Sequence, residues 1–157
     1  MRYFLLVLLV AGMICTTAAQ PRQLTGKAVK IMDGDTFDLL VGTTTWRIRL
    51  NGIDCPEKKQ PYSAQATAAL RRWCSDEPLV VRYRSKDRNG RILGDVYTKS
   101  GTWVNLRLVE EGMAWHFKQY STDRQLAAAE QRARSRKTGL WQQGNAIAPW
   151  LWRKGKR

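Results

Sequence analysis

Residues 45–57 read Thr-Trp-Arg-Ile-Arg-Leu-Asn-Gly-Ile-Asp-Cys-Pro-Glu and contain the clearest structural pattern of the chain. From Thr45 to Leu50, apolar and polar residues alternate, and this period of two predicts a β-strand. Arg47 and Arg49 project from the face opposite the apolar residues, because side chains in a strand alternate between its two sides. One face of this strand is therefore predicted to be core, and the other cationic.

Hydrophobic patterning outside this strand predicts four more strands and three helices. Two strands are expected within Leu24–Val41, on either side of an Asp-Gly-Asp turn, and the others at Leu79–Arg84 and Ile92–Thr98. The predicted helices are residues 62–74 with Ser63 as cap, a Thr102-capped helix ending at Gly112, and a helix from Asp123 to Gly139.

Short strands with a helix between the third and fourth are typical of a small barrel. We therefore predict an α+β fold, a five-stranded OB-type β-barrel with three helices. The domain itself is predicted to span residues 20–144, and residues 145–157 form a basic, Trp-containing tail that docks only in part. A monomer is the default expectation.

The first nineteen residues have the pattern of a signal peptide. Arg2 precedes an apolar run of about 13 residues, shorter than the ~20 needed to span a bilayer, and Thr17-Ala18-Ala19 offers a cleavage site. We expect an exported protein, secreted or periplasmic, with no stable membrane anchor after cleavage. Cys55 and Cys74 then meet an oxidising compartment, where either a disulfide worth about 3 kcal/mol or two buried free thiols would be consistent with their spacing.

The charge and the histidine content of the chain limit the partners it can bind and the catalytic groups it can use. The 157 residues include 27 Lys and Arg against 13 Asp and Glu, a formal net charge of +14, so a polyanionic partner is expected. Because His116 is the single histidine, a His-Cys zinc site, a catalytic triad with a spare histidine and a paired-His ribonuclease are all excluded. Catalysis must depend on carboxylates, arginines or a metal.

Four of the few acids lie in two tight groups at predicted strand ends. Asp33 and Asp35 flank one glycine, and Asp54 and Glu57 follow the alternating strand. Carboxylates from neighbouring strand ends, with a loop carbonyl, are a plausible ligand set for a hard cation such as Ca²⁺ or Mg²⁺. A solvated turn would explain the Asp-Gly-Asp stretch if it stood alone.

Two arginines lie close to these acids in sequence. Arg49 precedes Asp54 by five residues, and Arg91 follows a turn at the start of the fifth predicted strand. Planar guanidinium groups match phosphate oxygens in pairs, better than Lys does. Taken singly, each arginine would be explained by a solvated barrel face or an ion pair.

Four stretches, in this order and spacing, together resemble the staphylococcal (micrococcal) nuclease, or thermonuclease, family over about residues 24–142. They are Val29-Lys30-Ile31-Met32-Asp33-Gly34-Asp35-Thr36, residues 47–57, Asp87-Arg88-Asn89-Gly90-Arg91, and Val104-Asn105 with Glu111-Gly112-Met113-Ala114-Trp115. The resemblance implies a secreted phosphodiesterase that cleaves DNA and RNA and leaves 3′-phosphate ends.

The resemblance also implies roles for individual residues. Asp35, Asp54 and the backbone carbonyl of Cys55 are similar to the Ca²⁺ ligands of the family, and Asp33 to an acid that supports them. Glu57 resembles the group that positions or deprotonates the attacking water. Arg49 and Arg91 resemble the pair that holds the phosphate and its developing charge.

The chain departs from the family pattern in three places. Cys55 replaces the usual Thr, Asn89 stands where an aromatic residue is usual, and Phe117 and Tyr120 are the nearest candidates for stacking on a base. These departures affect base preference more than catalysis. Two other functions compete with a nuclease: a noncatalytic nucleic-acid-binding module on the same fold, and a cationic protein for acidic polysaccharides or membrane surfaces. The second leaves the placement of the acids unexplained.

Overall fold

The structure, a computed structural model, describes residues 20–75 and 77–156, so the predicted signal segment lies outside the described residues. Its strands are β1 (Arg22–Ile31), β2 (Thr36–Val41), β3 (Thr44–Leu50), β4 (Ile53–Asp54), β5 (Leu79–Lys86), β6 (Ile92–Tyr97) and β7 (Trp115–His116). Its helices are α1 (Ser63–Cys74), α2 (Val104–Glu110), α3 (Arg124–Ser135) and α4 (Pro149–Trp152), with a 3₁₀ helix at Gly139–Gln142.

Five strands close into a barrel in the order β1-β2-β3-β6-β5. Strand β3 is antiparallel to β2 and parallel to β6, and Ile48 on β3 lies opposite Phe37 and Ile92. All three of these side chains are buried, as is Leu50, whereas Arg47 on the other face is exposed. The predicted α+β fold with a five-stranded OB-type barrel is confirmed.

Two of the predicted helix caps were wrong. Helix α1 begins at Ser63, but the cap is Tyr62, which adopts a left-handed φ of 69° and makes no side-chain capping bond. Helix α2 is preceded by Trp103 rather than Thr102, again without a side-chain cap. The predicted cap of α3 is confirmed, because the Asp123 carboxylate accepts hydrogen bonds from two backbone N–H groups of the first turn.

Two glycines allow the chain after α2 to pack closely against the chain after α3. Helix α3 ends at Ser135, four residues before its predicted end, and Gly139 opens the 3₁₀ helix with a φ of 56°. Gly112 has a φ of 64°, and a Cβ atom there would lie 2.2 Å from the carbonyl oxygen of Thr138. Both positions therefore require glycine, for conformation and for space.

Outside the barrel, a small antiparallel pair supports one of the candidate acids. Strands β4 and β7 pair so that Asp54 lies opposite Trp115. The buried Asn105 side chain donates to the Asn51 and Gly94 carbonyl oxygens and accepts from the Val96 amide. This side chain fixes the turn between β3 and β4 to the barrel, and with it the chain that leads to Asp54.

Both cysteines in the described residues, Cys55 and Cys74, are buried free thiols. Burial raises the pKa of Cys74 to about 12 and raises that of Cys55 as well. Of the two alternatives that the sequence left open, the structure therefore has the free thiols. Within residues 20–75 and 77–156, the structure contains no helix with the length and apolar character of a membrane span.

Candidate active site

The two acidic groups predicted from the sequence meet at one end of the barrel. Asp35 lies in the connection between β1 and β2, where its amide donates to the Asp33 carboxylate at 3.0 Å. Its own carbonyl accepts from the Leu50 amide, at the end of β3. Asp54 follows two residues after the Asn51-Gly52 turn. Strand pairing thus brings the Asp-Gly-Asp turn next to the chain that carries Asp54.

Arg49 joins the two buried carboxylates. Its Nη1 atom lies 2.9 Å from Asp35 Oδ2, and its Nη2 atom lies 2.8 Å from Asp54 Oδ1. Nη1 also donates to the Leu50 carbonyl at 3.2 Å. Because the guanidinium is planar and rigid, this double contact fixes the separation of the two acids as well as their charge balance.

Backbone and hydroxyl donors complete the surroundings of Asp35. The Cys55 amide donates to Asp35 Oδ2 at 2.7 Å, and the Thr36 hydroxyl donates to Oδ1 at 3.1 Å. The Cys55 thiol donates to the Gly34 carbonyl, and a Cβ atom on Gly34 would lie 2.8 Å from the Cβ of Cys55. The Asp-Gly-Asp turn therefore packs directly on the residue after Asp54, and only glycine has room there.

Burial determines the ionisation of this pair. Desolvation raises the pKa of Asp35 to about 7, although Arg49 acts in the opposite direction. Desolvation also raises the pKa of Asp54, whose side chain is 1% exposed, against the effect of Arg153 and Arg49. The two guanidinium groups therefore compensate the buried negative charge only in part.

Glu57 lies in the loop after β4, and its side chain is 37% exposed. The loop is held by Gln60, whose side-chain oxygen accepts from the Glu57 amide at 2.9 Å and whose side-chain nitrogen donates to the Ile147 carbonyl at 2.6 Å. Glu57 is thus fixed at its backbone and open to water at its carboxylate. Sequence reasoning missed Gln60, because its partner lies 87 residues further along the chain.

Arg153 is the second residue of the cluster that the sequence did not reveal. Its Nη2 atom lies 2.9 Å from Asp54 Oδ2, its Nη1 atom lies 3.3 Å from Asp54 Oδ1, and Nη1 also contacts Glu57 Oε1. The available signal was the apolar run 146–152 before this arginine, which indicates a segment packed on the domain rather than a free tail.

Arg91 forms an ion pair with an acid outside this cluster. Its Nε atom is 2.7 Å from Asp87 Oδ2, within the turn that leads into β6. Along the strand pairing, Arg91 lies two residues before Leu93, the partner of Arg49. The structure therefore brings Asp35, Arg49 and Asp54 into direct contact, joins Glu57 to Asp54 through Arg153, and places Arg91 immediately before the adjacent strand β6.

The two residues suggested for base stacking also lie together. The rings of Phe117 and Tyr120 meet edge to face with centroids 4.7 Å apart, and Tyr120 is 70% exposed. Phe117 also stacks on Trp150 of α4, with a centroid distance of 5.2 Å. An aromatic group thus links the residues after β7 to the C-terminal segment.

The composition of the cluster limits which ions it could bind. In the described part of the chain, no three His, Cys, Asp or Glu side chains are arranged to hold a metal ion together. The set expected from the sequence uses only two side chains, Asp35 and Asp54, with a backbone carbonyl. All of these donors are oxygens, which suit a hard cation such as Ca²⁺.

Comparison with known proteins gives one consistent result. A family model described as "Staphylococcal nuclease homologue" matches residues 47–143. An Escherichia coli protein described as an "Uncharacterized endonuclease" is 40% identical over 131 residues, which are 83% of this chain and 86% of the relative. A "Micrococcal nuclease" from Shigella flexneri is 38% identical over 142 residues, 84% of this chain and 82% of the relative.

A plant protein shows the same likeness over a shorter part of its length. "Staphylococcal-like nuclease CAN1" from Arabidopsis thaliana is 41% identical over 112 residues, 71% of this chain and 34% of the plant protein. With the family match over more than half of its residues, the chain belongs to the staphylococcal nuclease family. It is accordingly a nuclease, a hydrolase whose substrate is nucleic acid.

Proposed function

We propose that this chain is an exported, Ca²⁺-dependent nuclease that hydrolyses the phosphodiester bonds of both DNA and RNA and leaves 3′-phosphate ends. One observation carries the proposal: the Arg49 guanidinium joins the buried carboxylates of Asp35 and Asp54. Glu57 stands beside Asp54, because Arg153 contacts both carboxylates. One cluster thus contains a guanidinium that would bind phosphate, two buried acids and a carboxylate that water can reach.

The residues present fit a hard divalent cation. Asp35, Asp54 and the Cys55 carbonyl would hold Ca²⁺, and the bound ion would supply positive charge that offsets the phosphate and its developing negative charge. The fit rests on the chemistry of the donors, which are all oxygens, and a bound cation would also offset the desolvation that raises the pKa values of both acids. Asp33 would stabilise the turn by accepting from the Asp35 amide.

Arg49 and Arg91 would bind the diester. Arg49 donates to Asp54 through Nη2 and to the Leu50 carbonyl through Nη1, which also forms an ion pair with Asp35, and the remaining N–H groups would bind phosphate oxygens. Arg91 is held by Asp87 through Nε, which leaves the two NH₂ groups at its end for the same purpose. Both guanidiniums would donate more strongly as negative charge builds on the phosphate oxygens.

Glu57 would act as the general base. Its exposed carboxylate can accept a proton from a water molecule while the oxygen of that water attacks phosphorus. Cleavage of the bond between phosphorus and the 5′ oxygen then leaves the phosphate on the 3′ side, and the departing oxygen takes up a proton. No step requires a histidine, in agreement with the buried position of His116.

The remaining features concern substrate and compartment. A net charge of +14 favours polyanions without selecting a sugar, and a monomer is sufficient for this site. Residues 1–19 would direct export to the periplasm or medium and then be removed. Amino-terminal sequencing of the exported protein should begin at Gln20, and a mature chain that retains Met1 would contradict the export proposal.

The purified protein should shorten both DNA and RNA when Ca²⁺ is present, and a chelator should abolish this. Its DNA products should resist polymerase extension until a phosphatase removes the 3′ phosphate. A gel with Ca²⁺, Mg²⁺ and chelator lanes, followed by an extension assay, measures both. Equal digestion in chelator contradicts the metal requirement, and ends that extend directly contradict the proposed products. Binding without any shortening would instead support a noncatalytic module.

Glu57→Gln keeps the shape of the side chain but removes the base. We expect turnover to fall by about 10²–10⁴-fold, the usual contribution of a general base. The matched control is Glu110→Gln, a substitution of the same chemistry at an acid of α2 that pairs with Arg107 and Arg132. Initial rates at saturating Ca²⁺ should separate the two variants, and a rate for Glu57→Gln within about threefold of the control would refute the role of Glu57.

A further inference from the structure

The C-terminal segment contributes a cation to the acidic cluster. Arg153, which follows α4 directly, makes a two-pronged contact with Asp54 through both guanidinium NH₂ groups. One of these groups also contacts Glu57. A single guanidinium therefore contacts an acid that we assign to the metal and the acid that we assign to the water.

Guanidinium groups contact both carboxylate oxygens of Asp54. Oδ2 accepts from Arg153 at 2.9 Å, and Oδ1 is shared between Arg49 at 2.8 Å and Arg153 at 3.3 Å. Partial burial lowers the pKa of Arg153, but the two carboxylates raise it above its usual value, so its charge is permanent. A cation that binds Asp54 therefore competes with Arg153 for the same two oxygens.

The position of Arg153 is built into the fold. Trp150 stacks on Phe117, and Ala148 and Leu151 pack in the cluster formed around Trp115 and Trp141. The Gln60 side chain connects the Ile147 carbonyl to the loop of Glu57. The side chain of Arg153 is nevertheless 43% exposed, so it can leave the acids without unfolding the segment beneath it.

We propose that Arg153 sets the cation affinity of the site by competing with the divalent ion for Asp54. The inference rests on the proposed function, because it takes Asp54 as a ligand of the ion. Apparent affinity is the intrinsic affinity multiplied by the fraction of molecules in which Arg153 has withdrawn. Arg153 is therefore a positioning residue that tunes the ion requirement of the nuclease, and not a catalytic residue.

The test is calorimetric titration of the full mature chain with CaCl₂. Arg153→Gln should bind Ca²⁺ about tenfold more tightly than the parent protein, which corresponds to Arg153 occupying Asp54 in about nine molecules of ten. The matched control is Lys154→Gln, which removes the same charge from the exposed neighbouring residue. We expect its affinity to stay within about twofold of the parent, because a fully solvated charge is screened by salt.

A second variant keeps the proposal testable if Arg153→Gln fails to fold. Arg153→Lys keeps the charge but replaces the planar fork by a single ammonium group, so its Ca²⁺ affinity should lie between those of the parent and Arg153→Gln. The Ca²⁺-induced rise in Tm, measured on the same samples, should follow the same order.

The outcomes separate the two proposals. If all the proteins bind Ca²⁺ and Arg153→Gln matches Lys154→Gln or binds more weakly, the competition is refuted and the Ca²⁺ site stands. If neither the parent nor any variant binds Ca²⁺, the proposed metal dependence fails and the inference fails with it. Tighter binding confined to the Arg153 variants supports the inference.

Discussion

The arrangement of this site depends on one guanidinium between two buried carboxylates. Asp35 and Asp54 come from different parts of the chain, and both are almost completely enclosed. Two enclosed anions repel each other and lose their hydration, a cost of several kcal/mol for each ion without a partner. Arg49 offsets that cost with contacts of 2.9 and 2.8 Å. The Thr36 hydroxyl, the Cys55 amide and Arg153 each contact one of these two acids as well.

The barrel makes the triad possible because of the alternation in β3. Ile48 and Leu50 face the core, and Arg49 between them is directed to the other face. The Leu50 amide binds the Asp35 carbonyl, and the Cys55 amide binds the Asp35 carboxylate. The end of β3 and the residue after β4 thus both donate hydrogen bonds to Asp35. The pairing of β4 with β7, in which Asp54 lies opposite Trp115, holds Asp54 in place. A strand that packs the core and the proposed phosphate-binding site are therefore built from the same few residues.

Local patterns in the sequence were sufficient for the barrel and for the acids of the site. The period of two in residues 45–50 is a property of neighbouring residues, and so is the pairing of acids with strand ends. The caps at Ser63 and Thr102 were wrong because the chain enters those helices through Tyr62 and Trp103, whose conformations depend on tertiary packing. Asp123 was predicted correctly because its side chain binds the helix that directly follows it.

Arg153 could not be predicted, for a related reason. Its carboxylate partners lie 99 and 96 residues earlier, and α4 has only four residues, too few to show a helical period. A basic tail has the same composition whether its charges are solvated or bound. The apolar run 146–152 favours a packed segment, but only the folded chain, where Trp150 and Leu151 pack on the domain, shows which acids Arg153 meets.

The most direct test of the central claim is the free energy of unfolding of Arg49→Met, compared with that of the triple variant Arg49→Met, Asp35→Asn, Asp54→Asn. Removing the shared partner of two buried acids should cost about 3–5 kcal/mol, and neutralising those acids should restore most of the loss. Urea unfolding of the parent protein and of both variants without added metal gives the loss and its recovery. A loss below about 1 kcal/mol, or a triple variant no more stable than Arg49→Met, would contradict the account.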